Sequence, residues 1–226
     1  MGSIISPNLI NDGLIFCIDA ANKRSYVGSG TDVHNIGGDS NFDGVLTNGV
    51  GHSTANPNTF TFDGTNDFIE CSGFTPQTAV GNGSPFTLSC WFKSDSASQR
   101  MLLAAPGSPR FYIEQIYASG NHRAHWGVGN SQNSSTSGAL LNTTDIFNYV
   151  ATYDGTNARG YLDGVLTDTT NIGSQTYNAS TFRIGKYTDG APLLFNGNIY
   201  FASVYKKALS DSEVLQNYNA LKDRFV

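Results

Sequence analysis

Residues 145–166 read DIFNYVATYDGTNARGYLDGVL, and this stretch decides the fold. Phe147, Tyr149, Ala151 and Tyr153 alternate with Asn148, Val150 and Thr152, the period of two that gives a strand two distinct faces. Asp154-Gly155-Thr156-Asn157 then breaks the run with residues that tolerate the positive backbone dihedrals of a tight reversal. A second strand follows from Ala158 to Leu162, and Asp163-Gly164 turns the chain again into Val165-Leu166. The pattern predicts an antiparallel, all-β protein.

The same grammar extends in both directions. Residues 59–71, TFTFDGTNDFIEC, place Phe60 and Phe62 on one side, turn at Asp63-Gly64-Thr65-Asn66, and resume with Phe68 and Ile69. In residues 85–93, PFTLSCWFK, one face carries Phe86, Leu88, Cys90 and Phe92, and the other carries Thr87, Ser89 and Trp91. Trp91 is expected to pack beneath a loop or the opposite sheet. Further strands are expected at Arg110–Glu114, His125–Val128 and Thr181–Tyr187, with the last at Phe201–Tyr205. Residues 27–58, rich in Gly, Asn, Asp and Ser, read as a long ordered loop with one short strand. Near the end, Ser210-Asp211-Ser212-Glu213 is a capping box. Val214, Leu215, Tyr218 and Leu221 follow it at helical spacing, so an amphipathic helix over about 210–223 should lie on the sheets.

Bulk properties fit one sandwich. No linker or charge run divides the 226 residues, and only 14 % are charged, against 12 % aromatic and 25 glycines. The reading is an N-terminal arm over 1–12 and a single domain over 13–226. A formal charge of −5 with scattered acids and bases offers no basic stripe for nucleic acid. No apolar run is long enough to span a bilayer. Met1 to Ser6 lacks the basic and apolar regions of a secretory signal; it fits a loose N-myristoylation pattern and reads as an ordinary arm. Cys17, Cys71 and Cys90 are odd in number and lack metal-ligand spacing, so reduced, buried thiols are expected, with a Cys71–Cys90 bridge as the alternative.

Several strings resemble the laminin-G-like, concanavalin-A-like jelly-roll superfamily. V-A-T-Y-D-G-T-N followed by G-Y-L-D-G-V-L resembles its central hairpin, residues 60–69 its F-D-G-x-x-D-Y-I signature, and F-T-L-S-C-W-F-K another of its strands. Gly13, Leu14, Asp19, Ala20, Asn22, Ser25 and Tyr26 match a first-strand string common in phage structural components. Residues 208–220, ALSDSEVLQNYNA, resemble the close of many phage-encoded members. Ile146 stands where relatives often carry tryptophan, and Tyr200-Phe201 where many bacterial relatives carry Asp-Glu. The resemblance implies a two-sheet antiparallel jelly-roll sandwich with one C-terminal α-helix.

Candidate chemistry is sparse. Glycoside hydrolysis needs two carboxyl groups across a cleft, yet the glutamates, Glu70, Glu114 and Glu213, fall in three separate elements, and the capping box accounts for Glu213. His34, His52, His122 and His125 accompany no nucleophile motif. His122 and His125, three apart on one strand, point to opposite faces and are expected at the surface. Calcium is the cofactor to consider: Asp63, Asn66 and Asp67 offer hard oxygen ligands in one turn, and turn formation explains the same residues. A glycan site needs an aromatic platform beside hydrogen-bonding loops. Tyr112, Tyr117, Trp126 and Tyr187 are its candidates, with Asn121, Asn130 and Asn133 alongside.

These readings lead to a non-enzymatic bacteriophage virion protein, made in the host cytoplasm, as head decoration or as part of a fibre or tail adhesin. Its partners would be other virion subunits, copies of itself and host-surface glycans. The alternative is a carbohydrate-binding module of a bacterial surface system; a glycoside hydrolase ranks below both.

Overall fold

The computed structural model describes residues 8–132, 140–188 and 190–225. In chain order the strands are β1 (Leu14–Asp19), β2 (Asp32–Val33), β3 (Gly44–Thr47), β4 (Gly51–Ser53), β5 (Thr59–Asp63), β6 (Phe68–Cys71), β7 (Phe86–Ser94) and β8 (Arg100–Ala105). They continue with β9 (Arg110–Ala118), β10 (Asn121–Gly129), β11 (Ser131–Gln132), β12 (Phe147–Tyr153), β13 (Asn157–Leu162), β14 (Val165–Asn171), β15 (Phe182–Ile184) and β16 (Asn196–Tyr205), and close with helix α1 (Asp211–Leu221). Two eight-stranded antiparallel sheets result. The first runs β14-β13-β12-β7-β16-β5-β4, with β1 also on β16; the second runs β11-β10-β9-β8-β15-β6-β3-β2.

The core between the sheets follows the alternation in the sequence. Phe86, Leu88, Cys90 and Phe92 of β7 are fully buried in it, joined by Tyr149, Ala151 and Tyr153 of β12 and by Phe111, Ile113 and Trp126 from the second sheet. The outer face of the first sheet is buried as well, which is why every residue of β12 is inaccessible. Trp91 and Phe201 pack there with Leu221 and Phe225, and Val150 and Tyr161 with Leu209 and Val214. Trp91 thus lies under the C-terminal segment, neither beneath a loop nor against the opposite sheet. Its ring stacks on Tyr218 at 5.4 Å and 5°, with Phe225 at 4.8 Å.

Local chemistry fixes the reversals. Asp163 (φ 51°) and Gly164 (φ 79°) both adopt the left-handed conformation of a two-residue hairpin. At the 154–157 turn, Asp154 accepts from the amides of Asn157 (2.7 Å) and Thr156 (2.9 Å) and from the Arg159 guanidinium (2.7 Å). Burial alone would raise the Asp154 pKa, but these donors together outweigh it and hold it at about 2. A folded-state pKa below the unfolded one adds stability above the unfolded value and loses it as pH falls through the folded value. Thermal melts should therefore show stability draining between about pH 4 and about pH 2, with Asp154→Ala less stable at neutral pH and flatter across that window.

The helix begins as its sequence demands. The Ser210 hydroxyl accepts from the Glu213 amide (3.3 Å), and the Glu213 carboxylate accepts from the Ser210 amide (2.9 Å) and from Lys207 (2.9 Å). Leu215, which the spacing placed on the buried face, is 45 % exposed. Beyond the helix, Arg224 makes a two-pronged ion pair to Asp19 (2.8 and 3.0 Å), joining the chain's end to its first strand.

Three segments differ from expectation. Residues 27–58 contain β2, β3 and β4, strands of two to four residues that are too short to show a period. The strand expected at Thr181–Tyr187 stops at Ile184, and the Phe195 amide reaches back to the Gly185 carbonyl (2.8 Å). The last strand starts earlier, at Asn196. All three cysteines are free and buried, and burial pushes each thiol pKa up. Residues 1–7 of the arm, and with them the myristoylation pattern, lie outside the described residues, as does Asn133.

Candidate functional site

Antiparallel pairing decides what meets on the outer face of the second sheet. Tyr112 of β9 lies opposite Gly127 of β10, Glu114 opposite His125, and Ile116 opposite Arg123. On the other side of β9, β8 sets Met101 opposite Glu114 and Ala104 opposite Tyr112. Directly paired residues share a face. A single face therefore carries Tyr112 and Glu114 of β9 and His125 of β10.

That face floors a groove of about 250 Å³, closed by Gln99, Ile116, Tyr117, Ala118 and Gln132. The side chains of Glu114 and His125 are only 4 % and 2 % exposed, and Glu114 Oε1 lies 3.5 Å from His125 Nδ1. Gln99 Nε2 donates to Glu114 Oε2 (2.9 Å), and the Tyr112 hydroxyl donates to Gln132 Oε1 (3.0 Å). Tyr112 lies directly over Gly127, where a Cβ would strike its ring. Burial, and then the Glu114 charge, push the Tyr112 pKa up, so this hydroxyl stays protonated. The groove holds a desolvated carboxylate, an imidazole and amide groups at fixed positions. Such a set suits hydrogen bonds to a polyhydroxyl ligand.

The aromatic candidates divide. Tyr112 and Tyr187 meet edge to face at 5.9 Å beside the groove, with Met101, Ala104 and Leu193 around them. Tyr117 is 58 % exposed and lies at the end of β9, where it lines the groove beside Ile116 and Ala118. Trp126 is fully buried between the sheets, its indole donating to Asp168 Oδ2 (2.7 Å). Asn121 bonds the Ser119 carbonyl (3.1 Å), and the Asn130 amide donates to Gln175 (2.8 Å). Tyr117 is the exposed ring among the described residues that line the groove, and the rest of its lining is largely polar.

Sequence reasoning misjudged the histidines. His122 and His125 do face opposite ways, yet both are buried. His125 lies in the floor of the groove, and strand alternation does not encode that. Burial lowers the His122 pKa. His34 is exposed, at 2.8 Å from Asp43, and the half-buried His52 bonds the Ala20 carbonyl (2.9 Å) beside Tyr26 and Phe60. Glu114 and His125 were overlooked as a pair because they lie eleven residues apart on neighbouring strands. One signal was present: in Phe111-Tyr112-Ile113-Glu114 a carboxylate directly follows three buried apolar and aromatic residues.

In the 63–67 turn, Asp63 Oδ1 accepts from the Thr65 amide (2.7 Å), Asp67 Oδ2 from the Asp63 amide (3.0 Å), and the Asn66 carbonyl from Asn48 (3.1 Å). Burial raises the Asp67 pKa. These oxygens build the turn. Among the described residues, no three or more His, Cys, Asp or Glu gather in an arrangement that could hold a metal ion.

A larger open hollow, about 570 Å³, lies between β13 and the start of α1. Its polar groups are committed to one another: Arg159 to Asp154 (2.7 Å), Tyr161 to Asp211 (2.8 Å), and Ser210 to Glu213. The smaller groove is the better candidate because its buried polar groups face into it.

No curated protein matches the chain. Among solved structures it is similar to domain 4 of a GH43 extracellular arabinanase from Geobacillus stearothermophilus in complex with arabinotriose, with TM-score 0.68 and 17 % identity over 91 % of this chain and 98 % of that one. It is also similar to Trypanosoma rangeli sialidase in complex with the inhibitor DANA, with TM-score 0.68 and 16 % identity over 99 % of this chain and 37 % of that one. The botulinum neurotoxin serotype D/C binding domain is a third, with TM-score 0.66 and 14 % identity over 93 % of this chain and 53 % of that one. The chain thus spans only part of the sialidase and toxin structures, and at these identities the likeness is one of fold. Residues 63–215 match the model of the Concanavalin A-like lectin/glucanases superfamily, and on this sandwich, over more than half of its length, the chain belongs to that superfamily.

Proposed function

We propose that the chain is a non-catalytic, glycan-binding sandwich whose contact site is the groove over β9 and β10. The observation that carries this reading is the buried Glu114–His125 pair facing a concave, polar surface, since such groups are costly to desolvate without a ligand-related use. Sugar hydroxyls would donate to the carboxylate and bond the glutamine amides, while the Tyr112–Tyr187 shelf contacts apolar faces of the ring. Hydrolysis would require a second carboxyl group across the site, and among the described residues Glu114 is the one carboxylate in the lining. The arabinanase domain was seen with arabinotriose, which supports a sugar ligand for this architecture.

Within this reading the chain serves a bacteriophage virion, as head decoration or as an adhesin component of a fibre or tail, acting on virion partners and host-surface glycans. Support comes from the phage-like strings at residues 13–26 and 208–220. Asp19 of the first string is tied to the tail just beyond the second through Arg224.

A glycan array followed by calorimetry on the best ligand tests the site. Glu114→Gln keeps the shape and removes the charge, and should weaken binding about tenfold, as loss of a charge-assisted hydrogen bond does, with the melting temperature little changed. Undiminished binding in this variant would remove Glu114 from the site, and absence of any binding on the array would remove the glycan reading.

A further inference from the structure

Resting on the glycan reading above, we propose that the sugar held in the β9–β10 groove is an N-acetylated amino sugar, its acetamido N–H donating to Glu114 and its methyl seated against Ile116 and Tyr117. Alternate residues of a strand share a face, so Tyr112, Glu114, Ile116 and Ala118 follow one another along the groove. At roughly 3.3 Å per residue that row is about 20 Å long. Its chemistry changes from one end to the other.

At the Tyr112 end, Gln132 accepts from the tyrosine hydroxyl through Oε1 (3.0 Å), which leaves its amide protons to donate. In the middle, Gln99 gives an amide proton to Glu114 Oε2 (2.9 Å) and keeps its own Oε1 as an acceptor. Glu114 Oε1 lies 3.5 Å from His125 Nδ1, beyond ordinary hydrogen-bond length, and retains lone pairs for a ligand donor. The far end is lined by Ile116, Ala118 and the ring of Tyr117, which is 58 % exposed. Arg123 stands opposite Ile116 on this face without entering the lining.

A ligand that matches this order has hydroxyls at one end, an N–H donor in the middle and an apolar tip. A plain pyranose carries hydroxyls around its edge and would bury one against Ile116 with no partner, which costs an unmade hydrogen bond. A free amino sugar offers Glu114 an ammonium and leaves the apolar end unfilled. An acetamido group satisfies both. In a trans amide the N–H and the acyl methyl lie on the same side, so a wall that presents a carboxylate and, two residues on, an isoleucine meets the two together. The ring hydroxyls then fall to Gln132 and the Tyr112 side.

Calorimetry of the full chain with matched monosaccharides is the test, using the acetamido, amino and hydroxyl forms at carbon 2 of glucose and of galactose. In at least one of the two series the acetamido form is expected to bind roughly tenfold or more tightly than the other two, as one buried methyl and one charge-assisted hydrogen bond supply. Tyr117→Ser, at an exposed position, should keep the melting temperature and cut that preference severalfold. Equal binding of the hydroxyl and acetamido forms overturns the inference and leaves the groove a glycan site. So does tightest binding by the amino form, or a preference unchanged in Tyr117→Ser. If none of these sugars binds, the inference falls, and a blank glycan array would take the glycan reading with it.

Discussion

Trp91→Ala is expected to lower the unfolding free energy by about 3–5 kcal/mol, the range for deleting a large buried aromatic. Trp91 is the one large side chain on the outer face of β7 that α1 and the residues after it share. It stacks on Tyr218 and contacts Phe225, and it belongs to the same cluster as Leu221. The loss should be spatially uneven. With the platform gone, α1 retains its capping box and its Val214 contacts, while the 218–225 segment loses its seat. Denaturant titration gives the global change, and hydrogen exchange should show amides of 218–225 opening well before those of β7 and β12. Uniform loss of protection would mean that the C-terminal segment is held chiefly by something other than Trp91.

Asp19→Ala should be the next most damaging change, at about 2–3 kcal/mol, below the full penalty for breaking a buried pair because the arginine partner is partly exposed. Asp19 is 9 % exposed and Arg224 36 %. The carboxylate also accepts from the Ala21 amide (3.0 Å), so the substitution removes a turn as well as an ion pair. Arg224→Met separates the two effects, since it leaves the Asp19 turn in place and removes only the guanidinium, which also lies over the Phe225 ring (4.9 Å). A double-mutant cycle between the sites should give a coupling of about 1–2 kcal/mol; additivity within error would show that the pair does not tie the ends together.

Much of the fold was legible because burial follows alternation wherever one face of a strand meets the core. β7, β12 and the 154–157 and 163–164 turns could be read from residue type alone. The capping box placed α1 to within a residue at its start. The short strands β2, β3 and β4 were not legible, because pairing to distant neighbours creates them and two to four residues carry no period. Leu215 fits the helical stripe yet stays exposed, since it meets the sheet only at the tip of the β13–β14 hairpin, beside Gly164.

The site was less legible, for a related reason. A groove is a relation between strands, and the sequence presents its floor as scattered single residues. Tyr112 and Tyr187 were picked out for their rings and do lie together, but Trp126 was picked out on the same ground and is core. Glu114 and His125 were each weighed for catalysis or metal binding and set aside singly. What joins them is the β9–β10 register, and no local pattern specifies which residue of one strand faces which of the next.

Titration of isotope-labelled protein with its best array glycan, followed through the amide resonances, decides whether the β9–β10 groove is the contact surface. Shifts concentrated at residues 112–116, 123–127 and 132, and absent in Glu114→Gln at the same ligand concentration, are the predicted result. Shifts that cluster instead at the 63–67 turn or in the hollow beside α1, with 112–127 unmoved, would contradict it.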